Sequence, residues 1–393
     1  MADGFHRDVY CLLGLPFDAV DMDEAVRRVR DAAARHTPYF MSTPNLNFVV
    51  ASRTDSQFRD SVINSDLCIA DGMPLIWTAR LLGIPVRKRV AGSDLFEQLR
   101  TGKSARLSVY LFGGKPGVAE AASGKLNAAA SGLTCAGYEC PGFGSAEDMS
   151  SDETIAKINS SGAGFLVVSL GAKKGQTWIE RNRARISVPV ISHLGAVLNF
   201  AAGTLNRAPV WMQNVGLEWL WRIKEERGLW RRYRSDGLAF LRLLFTRVIP
   251  LALLVRREKS IRQASDAAVI DVRNGTDETF IHLSGVWVRE DLAPLRDAFS
   301  QVVRSGRGVQ IDMAQVSYVD SSFLGLLLLL YGAQKKRTRS FSCGPVSPGV
   351  RRIFQYGCCE FLPGSRLVAS ANDIKVPAQG EFVHDAQKEA LSG

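Results

Sequence analysis

The sequence predicts an α/β protein: a Rossmann-like, doubly wound and mostly parallel sheet, followed by a helical basic appendage and a small second α/β domain. Three observations support this fold class. Strand-like and helix-like segments alternate from about residue 8 to residue 215, as in parallel sheets. Each of these strands ends in Gly or a small polar residue, as expected where backbone approaches a ligand. A new pattern of strands and helices begins at Val269.

The elements of the first domain follow one another regularly. Residues 39–42 form a predicted strand that ends in Thr43-Pro44-Asn45, and residues 47–61 have a helical pattern. A short apolar run at 67–70 ends in Asp71-Gly72. Downstream, we predict three more strands and one helix rich in small residues: strands 107–112, 165–170 and 188–194, and helix 118–130.

Residues 217–255 combine Trp, Arg and a strongly apolar run. Residues 222–257 contain ten Lys/Arg and three Asp/Glu, which implies an anionic surface or a polyphosphate as partner. The run 238–255 reaches the lower length limit for a membrane span, but Arg242 and Arg247 interrupt it. An interfacial amphipathic helix fits better than a spanning one. A helix packed on the protein's own core is the alternative, and the residues alone do not separate the two.

The next segments have simpler patterns. Residues 256–267 are polar and are predicted to be a linker. In the second domain we predict two strands at 268–272 and 280–283, a helix at 291–304, a strand at 308–313 and a buried helix that begins near Asp320. The resulting division of the chain is a core at 1–216, an appendage at 217–255, a linker at 256–267, a second domain at 268–372 and a disordered tail at 373–393.

Composition excludes several classes of protein. The chain has 393 residues, of which 46% are hydrophobic and 22% charged, and its net charge is +10. These values are ordinary for globular proteins and exclude disordered and fibrous chains. Outside the appendage there is no Lys/Arg-rich helix with interleaved stacking aromatics, so we expect no nucleic-acid partner.

Cysteine usage and the N-terminus bear on the compartment. The seven cysteines are odd in number and lack paired C-x-x-C spacing, so neither a disulfide framework nor a zinc site is indicated. Residues 1–18 lack the basic segment and apolar run of a signal peptide. The five histidines are scattered, and we expect no metal site and no cofactor. A cytoplasmic protein is predicted.

Asp71 is the most informative residue, because it stands where a buried strand ends and Gly72 and Pro74 force a turn. Ligands of open α/β sheets bind at that edge. A carboxylate held there can act as a general base. The alternative is an acid that only caps the following helix.

Other strand ends offer groups that suit a sugar nucleotide. Thr43 and Asn45 supply a hydroxyl and an amide, and Arg89 supplies a cation. Gly113 and Gly114 begin a glycine-rich turn before a helix, where backbone N–H groups favour phosphate, although a simple tight turn is the likelier explanation of that turn alone. Further cations that could hold a diphosphate follow: Arg207, Arg222, Arg231 and Arg232. Together these residues favour a metal-independent transfer from a nucleotide-sugar.

These motifs resemble the WecG/TagA/CpsF glycosyltransferase family over residues 8–245. The resemblance is carried, in order, by Thr43-Pro44-Asn45, Ala70-Asp71-Gly72, the segment 89–95, Leu111 to Gly117, the segment 202–209, the segment 217–222 and Arg231-Arg232-Tyr233. Family members are inverting transferases that move a sugar, often of the N-acetylmannosamine type, from a UDP donor to a polyprenyl-diphosphate-linked acceptor at the membrane face. The resemblance implies that Asp71 is the base, that Thr43 and Asn45 line the pocket with Arg89 beside it, and that the late arginines bind phosphate or membrane.

Two positions depart from the family pattern. Gly175 stands where the family has glutamine, and we predict that Gln176 reaches the same space and binds substrate. Asn199 replaces an acid. These changes affect the expected sugar specificity more than catalysis, because Asp71 remains.

The second domain resembles STAS (anti-sigma-factor antagonist-like) domains. The resemblance is carried by Val309 to Met313 and by Tyr318-Val319-Asp320-Ser321-Ser322 with the following helix. It implies a partner protein or kinase and phosphorylation of a serine, with Ser322 as the first candidate and Ser321 as the second. A phosphate at a helix N-terminus is favoured by the helix dipole, and we expect the serine to be exposed. The alternative is that Asp320 and Ser321 only cap the helix.

The leading hypothesis is therefore a peripheral membrane glycosyltransferase of surface polysaccharide biosynthesis with a regulatory module. Its predicted partners are a UDP-sugar, a lipid-linked glycan acceptor and the anionic inner face of the cell membrane; a homo-oligomer is left open. The alternative is a degenerate transferase that serves as a nucleotide-sugar-binding scaffold or sensor. A nucleotide-binding oxidoreductase fits less well, because the dinucleotide fingerprint is missing.

Overall fold

The computed structural model describes residues 2–102, 105–129, 131–214, 216–261 and 267–363. After a short 3₁₀ helix at Ala2–His6, the first domain contains eight strands: β1 Val9–Leu12, β2 Leu15–Asp18, β3 Tyr39–Ser42, β4 Leu67–Cys68, β5 Leu107–Gly113, β6 Leu133–Glu139, β7 Phe165–Ser169 and β8 Val190–His193. Its helices are α1 Met22–Ala34, α2 Leu46–Ser52, α3 Ser56–Ile63, α4 Met73–Leu82, α5 Gly92–Thr101, α6 Val118–Ala129, α7 Asp152–Ser160, α8 Ala172–Asn182, α9 Val197–Ala202 and α10 Val210–Asn214.

Six of these strands form one parallel sheet in the order β4-β3-β8-β7-β5-β6. Every residue of β7 and β8 is buried, because helices cover both faces of the sheet. The predicted doubly wound α/β domain is confirmed. Its parallel strands end at one edge, and there the predicted residues Thr43, Asp71 and Arg89 come close together.

Two local predictions for this domain differ from the structure. The single helix expected at 47–61 is two helices, because Asp55 accepts a hydrogen bond from Phe58 N–H and so begins α3 as an N-cap. The edge strand β6 and the antiparallel hairpin β1–β2 are additional elements.

The appendage consists of α11 Glu218–Glu225 and a long helical segment that follows it. This segment comprises α12 Leu229–Leu243, a π-helical turn at Leu244–Val248 and α13 Ile249–Ile261. The polar stretch predicted as a linker from residue 256 is thus helical up to Ile261. By length and composition, the helix Leu229–Arg257 could cross a membrane, and only 11% of its apolar 18-residue window is buried inside the protein.

The second domain is a mixed four-stranded sheet with helices. Its strands β9 Val269–Asn274, β10 Glu278–Trp287, β11 Gly308–Val319 and β12 Phe341–Val346 lie in the order β12-β11-β10-β9, and the β9–β10 pair is antiparallel. The helices are a 3₁₀ turn at Arg289–Asp291, α14 Ala293–Ser305, α15 Ser321–Lys336 and α16 Pro348–Tyr356. The predicted small α/β domain is confirmed. The tail at 373–393 lies outside the described residues.

The hairpin β1–β2 joins the two domains. Val9 and Cys11 belong to the hydrophobic core of the second domain, whereas Tyr10 and Leu12 belong to a core of the first domain. This division follows from the alternation of side chains along a strand. Helix α15 approaches so closely that a Cβ on Gly325 would lie 2.8 Å from the carbonyl oxygen of Val9.

The serines at the start of α15 lie in this contact. Ser321 Oγ donates to the carbonyl oxygen of Cys11 at 2.9 Å. Ser322 is fully buried, and its Oγ donates to Asp320 Oδ1 at 2.6 Å. The expectation of an exposed serine was wrong for Ser322, because the hairpin covers this end of the helix. Phosphorylation of either serine stays a prediction.

Candidate active site

Three loops meet at the carboxyl edge of the parallel sheet. The loop after β4 is tied to the loop after β3, since Asp71 N–H donates to the Pro44 carbonyl oxygen at 2.9 Å. It is tied to the segment before α5, since Val90 N–H donates to the Ala70 carbonyl oxygen at 3.0 Å. These backbone bonds bring Asp71, Thr43 and Arg89 to one place.

Asp71 does not cap the following helix. The N-cap of α4 is Gly72, and its cap is made without a side-chain hydrogen bond. The Asp71 carboxylate instead accepts a hydrogen bond from Gly92 N–H, at the start of α5. Its side chain is 28% exposed, and burial among protein atoms raises its pKa to about 7. Arg89 opposes this shift, whereas Glu218 and Asp94 add to it.

Arg89 is the centre of an ion-pair cluster. Its Nη2 donates to Asp94 Oδ2 at 2.7 Å, and its Nη1 donates to Glu218 Oε2 at 2.8 Å. The same Nη1 lies 3.9 Å from Asp71 Oδ1. The three carboxylates raise the pKa of the Arg89 guanidinium, which is only 15% exposed.

A second row of cations continues from this cluster. Arg207 pairs with Asp94 and also donates to Ser93 Oγ at 3.1 Å. Its guanidinium lies 5.6 Å from the centre of the Phe200 ring, and the guanidinium of Arg222 lies 5.1 Å from the same ring. The structure therefore links Arg89, Arg207 and Arg222, which come from three separate parts of the chain.

Thr43 and Asn45 belong to the loop after β3, which is bonded to the backbone of Asp71. Thr43 is buried beside the N-terminus of α5, where a Cβ on Gly92 would lie 3.1 Å from Thr43 Cγ2. Asn45 Oδ1 accepts a hydrogen bond from Phe48 N–H and caps α2. The amide nitrogen of Asn45 is therefore the part of its side chain that could donate to a ligand.

The glycine turn after β5 is shaped by the neighbouring strand. Gly113 has a φ of +109°, and a Cβ there would lie 2.5 Å from the carbonyl oxygen of Ser169 at the end of β7. Gly114 has a φ of +82° and donates its N–H to the same carbonyl oxygen at 3.0 Å. Gly113 is required by this close approach and Gly114 by its positive φ, whether or not the turn also binds phosphate.

Three predicted binding residues are not part of the cluster. Gln176 is fully buried, and its Nε2 donates to Ser42 Oγ at 2.9 Å, so its hydrogen bonding is internal. Arg231 and Arg232 are exposed on α12, and their guanidinium groups contact the rings of Trp230 and Tyr233.

The family model for the glycosyl transferase WecG/TagA/CpsF family matches residues 10–252. The chain belongs to this family. Among curated proteins, it is similar to an N-acetylglucosaminyldiphosphoundecaprenol N-acetyl-β-D-mannosaminyltransferase of Bacillus subtilis, with 25% identity over 198 residues, 50% of this chain and 75% of the relative. A protein of the same name from Bacillus spizizenii is 25% identical over 197 residues, with the same coverage.

The second domain is a STAS domain. A family model described as "Mlab, STAS domain" matches residues 270–358. The matched region begins in β9 and ends just after α16. Both resemblances inferred from the sequence are thus confirmed.

The structure explains one departure from the transferase family pattern. A Cβ on Gly175 would lie 2.1 Å from His193 Cδ2, so the His193 ring fills the space that a side chain at position 175 would need. Burial lowers the pKa of His193 to about 4, and its Nε2 makes no hydrogen bond within the described residues. From the sequence, His193 was counted among the five scattered histidines and was given no role in the site.

Asp94 and Glu218 were also not assigned to the site from the sequence. Both lie in segments that resemble family motifs, and this resemblance is the only sequence feature that could have placed them in the site. In the part of the chain that the structure describes, there is no group of three or more His, Cys, Asp or Glu side chains that could hold a metal ion. Arg89 itself occupies the centre of the carboxylate cluster.

Proposed function

We propose that this WecG/TagA/CpsF-family glycosyltransferase moves an N-acetylhexosamine from a UDP donor to a polyprenyl-diphosphate-linked GlcNAc acceptor at the cytoplasmic membrane face. The observation that carries the proposal is Asp71, a carboxylate at the sheet edge whose pKa is raised to about 7 beside a row of arginines. A general base is most effective when its pKa is near the working pH. N-acetylmannosamine is the first donor sugar to test, because the names of the relatives specify it.

In the proposed reaction, Asp71 removes the proton of the acceptor hydroxyl. The hydroxyl oxygen forms a bond to the anomeric carbon as the bond from that carbon to the donor diphosphate breaks, and attack from the opposite face inverts the anomeric centre. The leaving UDP carries the negative charge away. Thr43 and the amide of Asn45 are proposed to hydrogen-bond the donor.

The cations are proposed to stabilise the leaving diphosphate without a metal ion. Arg207 and Arg222 lie on one aromatic ring, and Arg89 lies beside the proposed base. Guanidinium groups match phosphate oxygens in geometry and charge. Fixed cations in a partly buried site stabilise developing charge more strongly than the same groups in water.

Membrane attachment is proposed to be peripheral, through the appendage. Leu238, Leu241, Phe245 and Leu253 are exposed large apolar side chains on its long helix. Trp219 and Trp230 are exposed near its start, and exposed arginines surround them. This combination suits the interface of an anionic membrane better than water. Cell-surface polysaccharide synthesis is the process that such an acceptor implies.

The Asp71→Asn variant tests the role of the base. We expect it to bind UDP normally and to lose turnover by a factor of about a hundred or more, the usual range for a missing general base. Transfer is measured as UDP release with a short-chain polyprenyl-diphosphate GlcNAc acceptor. Asp23→Asn, on α1, is the control for loss of one acidic group. Near-normal transfer by Asp71→Asn would contradict the assignment.

A panel of UDP-sugars separates the transferase from the alternative, a sugar-nucleotide-binding scaffold. Each UDP-sugar is tested for protection of the purified chain against thermal unfolding and then for transfer to the acceptor. The proposal requires one donor that both protects and is consumed. Protection without consumption of any donor would favour the scaffold.

A further inference from the structure

Glu218 is carried by the appendage, yet it reaches the centre of the site. It is the first residue of α11, and its Oε2 accepts a hydrogen bond from Arg89 Nη1 at 2.8 Å. That nitrogen also faces Asp71 Oδ1, at 3.9 Å. Two carboxylates, one from the sheet edge and one from the appendage, therefore compete for the same nitrogen, and Glu218 holds the hydrogen bond.

The other nitrogen of this guanidinium is fixed separately. Asp94 accepts a hydrogen bond from Arg89 Nη2 at 2.7 Å, and it also pairs with Arg207. Loss of Glu218 would leave Nη1 with Asp71 as its nearest carboxylate in the cluster. A short turn of the guanidinium would then form a direct ion pair with Asp71, and such a pair strongly favours the ionised acid.

We propose that Glu218 is a positioning residue for the transfer reaction: by binding Arg89 Nη1 it keeps the guanidinium away from Asp71 and leaves that carboxylate free to accept a proton. The inference rests on the proposed role of Asp71 as the base. It assigns to the appendage a chemical contribution to the site in addition to membrane attachment.

Hydrogen bonds to the rest of the transferase domain hold the appendage in the position that places Glu218 at the site. Helix α11 is held by Trp221 Nε1, which donates to the Asn206 carbonyl oxygen at 3.0 Å. The next helix is held by Asn47 Nδ2, which donates to Asp236 Oδ2 at 3.2 Å. Glu218 is thereby held against Arg89 Nη1. The proton affinity of Asp71 thus depends on a residue that the appendage supplies.

The charges that face Asp71 give the sign of the expected change. The segment 89–94 provides Arg89, Asp94 and the Gly92 N–H, and α11 provides Glu218. Arg89 and the Gly92 N–H lower the pKa of Asp71, whereas Glu218 and Asp94 raise it. Glu218→Gln removes one of the groups that raise it and frees one that lowers it. Both effects act in the same direction.

The test is the pH dependence of kcat/KM in the full-length chain. Activity should rise through the pKa of Asp71, and in Glu218→Gln this acidic limb should lie lower by about one pH unit, the lower end of the effect of a new ion pair. Glu225→Gln removes the same charge two turns further along α11, about 10 Å away, and should leave the limb unchanged. Glu218→Asp keeps the charge on a shorter side chain. Its acidic limb should lie between those of Glu218→Gln and the unaltered chain.

A purely structural role for Glu218 would lower activity equally at every pH. Coincident acidic limbs for Glu218→Gln and the unaltered chain would overturn the inference. If Glu218→Gln does not fold, Glu218→Asp takes its place. The inference is then overturned if the acidic limb of Glu218→Asp coincides with that of the unaltered chain. The proposed function fails separately, since it requires Asp71→Asn to lose turnover by a factor of about a hundred or more whatever the Glu218 variants do.

Discussion

At the scale of single residues, the Asp71 carboxylate is held where its neutral form is favoured. The raised pKa means that the folded protein binds a proton more tightly than the unfolded chain does. Between about pH 4 and pH 7, the unfolded chain has already lost this proton while the folded protein has not. The contribution of Asp71 to stability therefore falls as pH rises through this window, and it stays low above it.

Asp71→Asn should reveal this penalty. We expect the variant and the unaltered chain to have similar unfolding free energies at about pH 2.5, where the carboxyl is neutral in both the folded and the unfolded state. Above pH 7 the variant should be more stable, by about 1–2 kcal/mol after allowance for solvent screening. Denaturant unfolding at a series of pH values measures this difference. A constant difference across the series would show that burial of Asp71 does not affect its titration.

The residues of the site were predictable to different degrees. Asp71, Thr43 and Arg89 could be found because each follows a recognisable local pattern. Glu218 could not be assigned, since its role comes from the docking of α11 against a segment more than a hundred residues earlier in the chain. Gln176 was assigned to the site because the neighbouring Gly175 departs from the family pattern, but the structure buries the Gln176 side chain against Ser42. His193 fills the space beside position 175.

At the scale of elements, the contact between α8 and β8 depends on the absence of a side chain at position 175. Gly175→Gln would restore the family residue, but its Cβ would meet the His193 ring at 2.1 Å. We expect this variant to lose about 2 kcal/mol or more of stability, as overpacked cores do. Gly175→Gln combined with His193→Ala should recover part of the loss. Equal melting temperatures for the single variant and the unaltered chain would contradict the steric explanation.

The long helix of the appendage has an apolar face that the rest of the protein leaves uncovered, and we expect this face to bind the membrane. Phe245 is 66% exposed on this helix. Phe245→Glu should leave the melting temperature unchanged and reduce binding to anionic vesicles severalfold, because it places a charge in the membrane interface. Phe280→Glu is the matched control, since Phe280 is 46% exposed on a strand of the second domain. Equal flotation of the two variants with anionic vesicles would show that another surface of the protein binds the membrane.

Element types were predicted better than element boundaries. The buried strands of the sheet could be recognised, because short apolar runs ending in Gly or polar residues have few other interpretations. The break between α2 and α3 was missed because Asp55 sits inside an otherwise helical pattern and acts as a cap only in its local backbone geometry. The helical residues up to Ile261 were read as a linker because polarity alone does not distinguish a solvated helix from a loop.

At the scale of the whole molecule, the STAS domain is packed against the transferase. Lys335 pairs with Asp60, and Arg53 pairs with Glu360 at 2.6 Å. Cys11 Sγ and Cys359 Sγ lie 3.3 Å apart across the same contact. The start of α15, which we predicted to be open to a kinase, is covered by a segment of the chain itself.

Ser322→Asp therefore acts on the contact between the domains. Its carboxylate would be buried beside the half-buried Asp320, and two adjacent carboxylates repel each other. We expect a loss of at least about 2 kcal/mol and faster proteolysis of the hairpin. Ser322→Ala should change stability much less, since it removes only one hydroxyl. Equal protease resistance of the two variants would indicate that the contact tolerates charge, and a phosphate there would then not open it.

The hairpin β1–β2 also has a consequence for synthesis. It is synthesised well before α15, but two of its apolar side chains, Val9 and Cys11, share a core with that helix, which follows more than three hundred residues later. Val9 and Cys11 stay without these partners until α15 has been made. The hairpin is therefore expected to need shielding during translation until its contact with α15 can form.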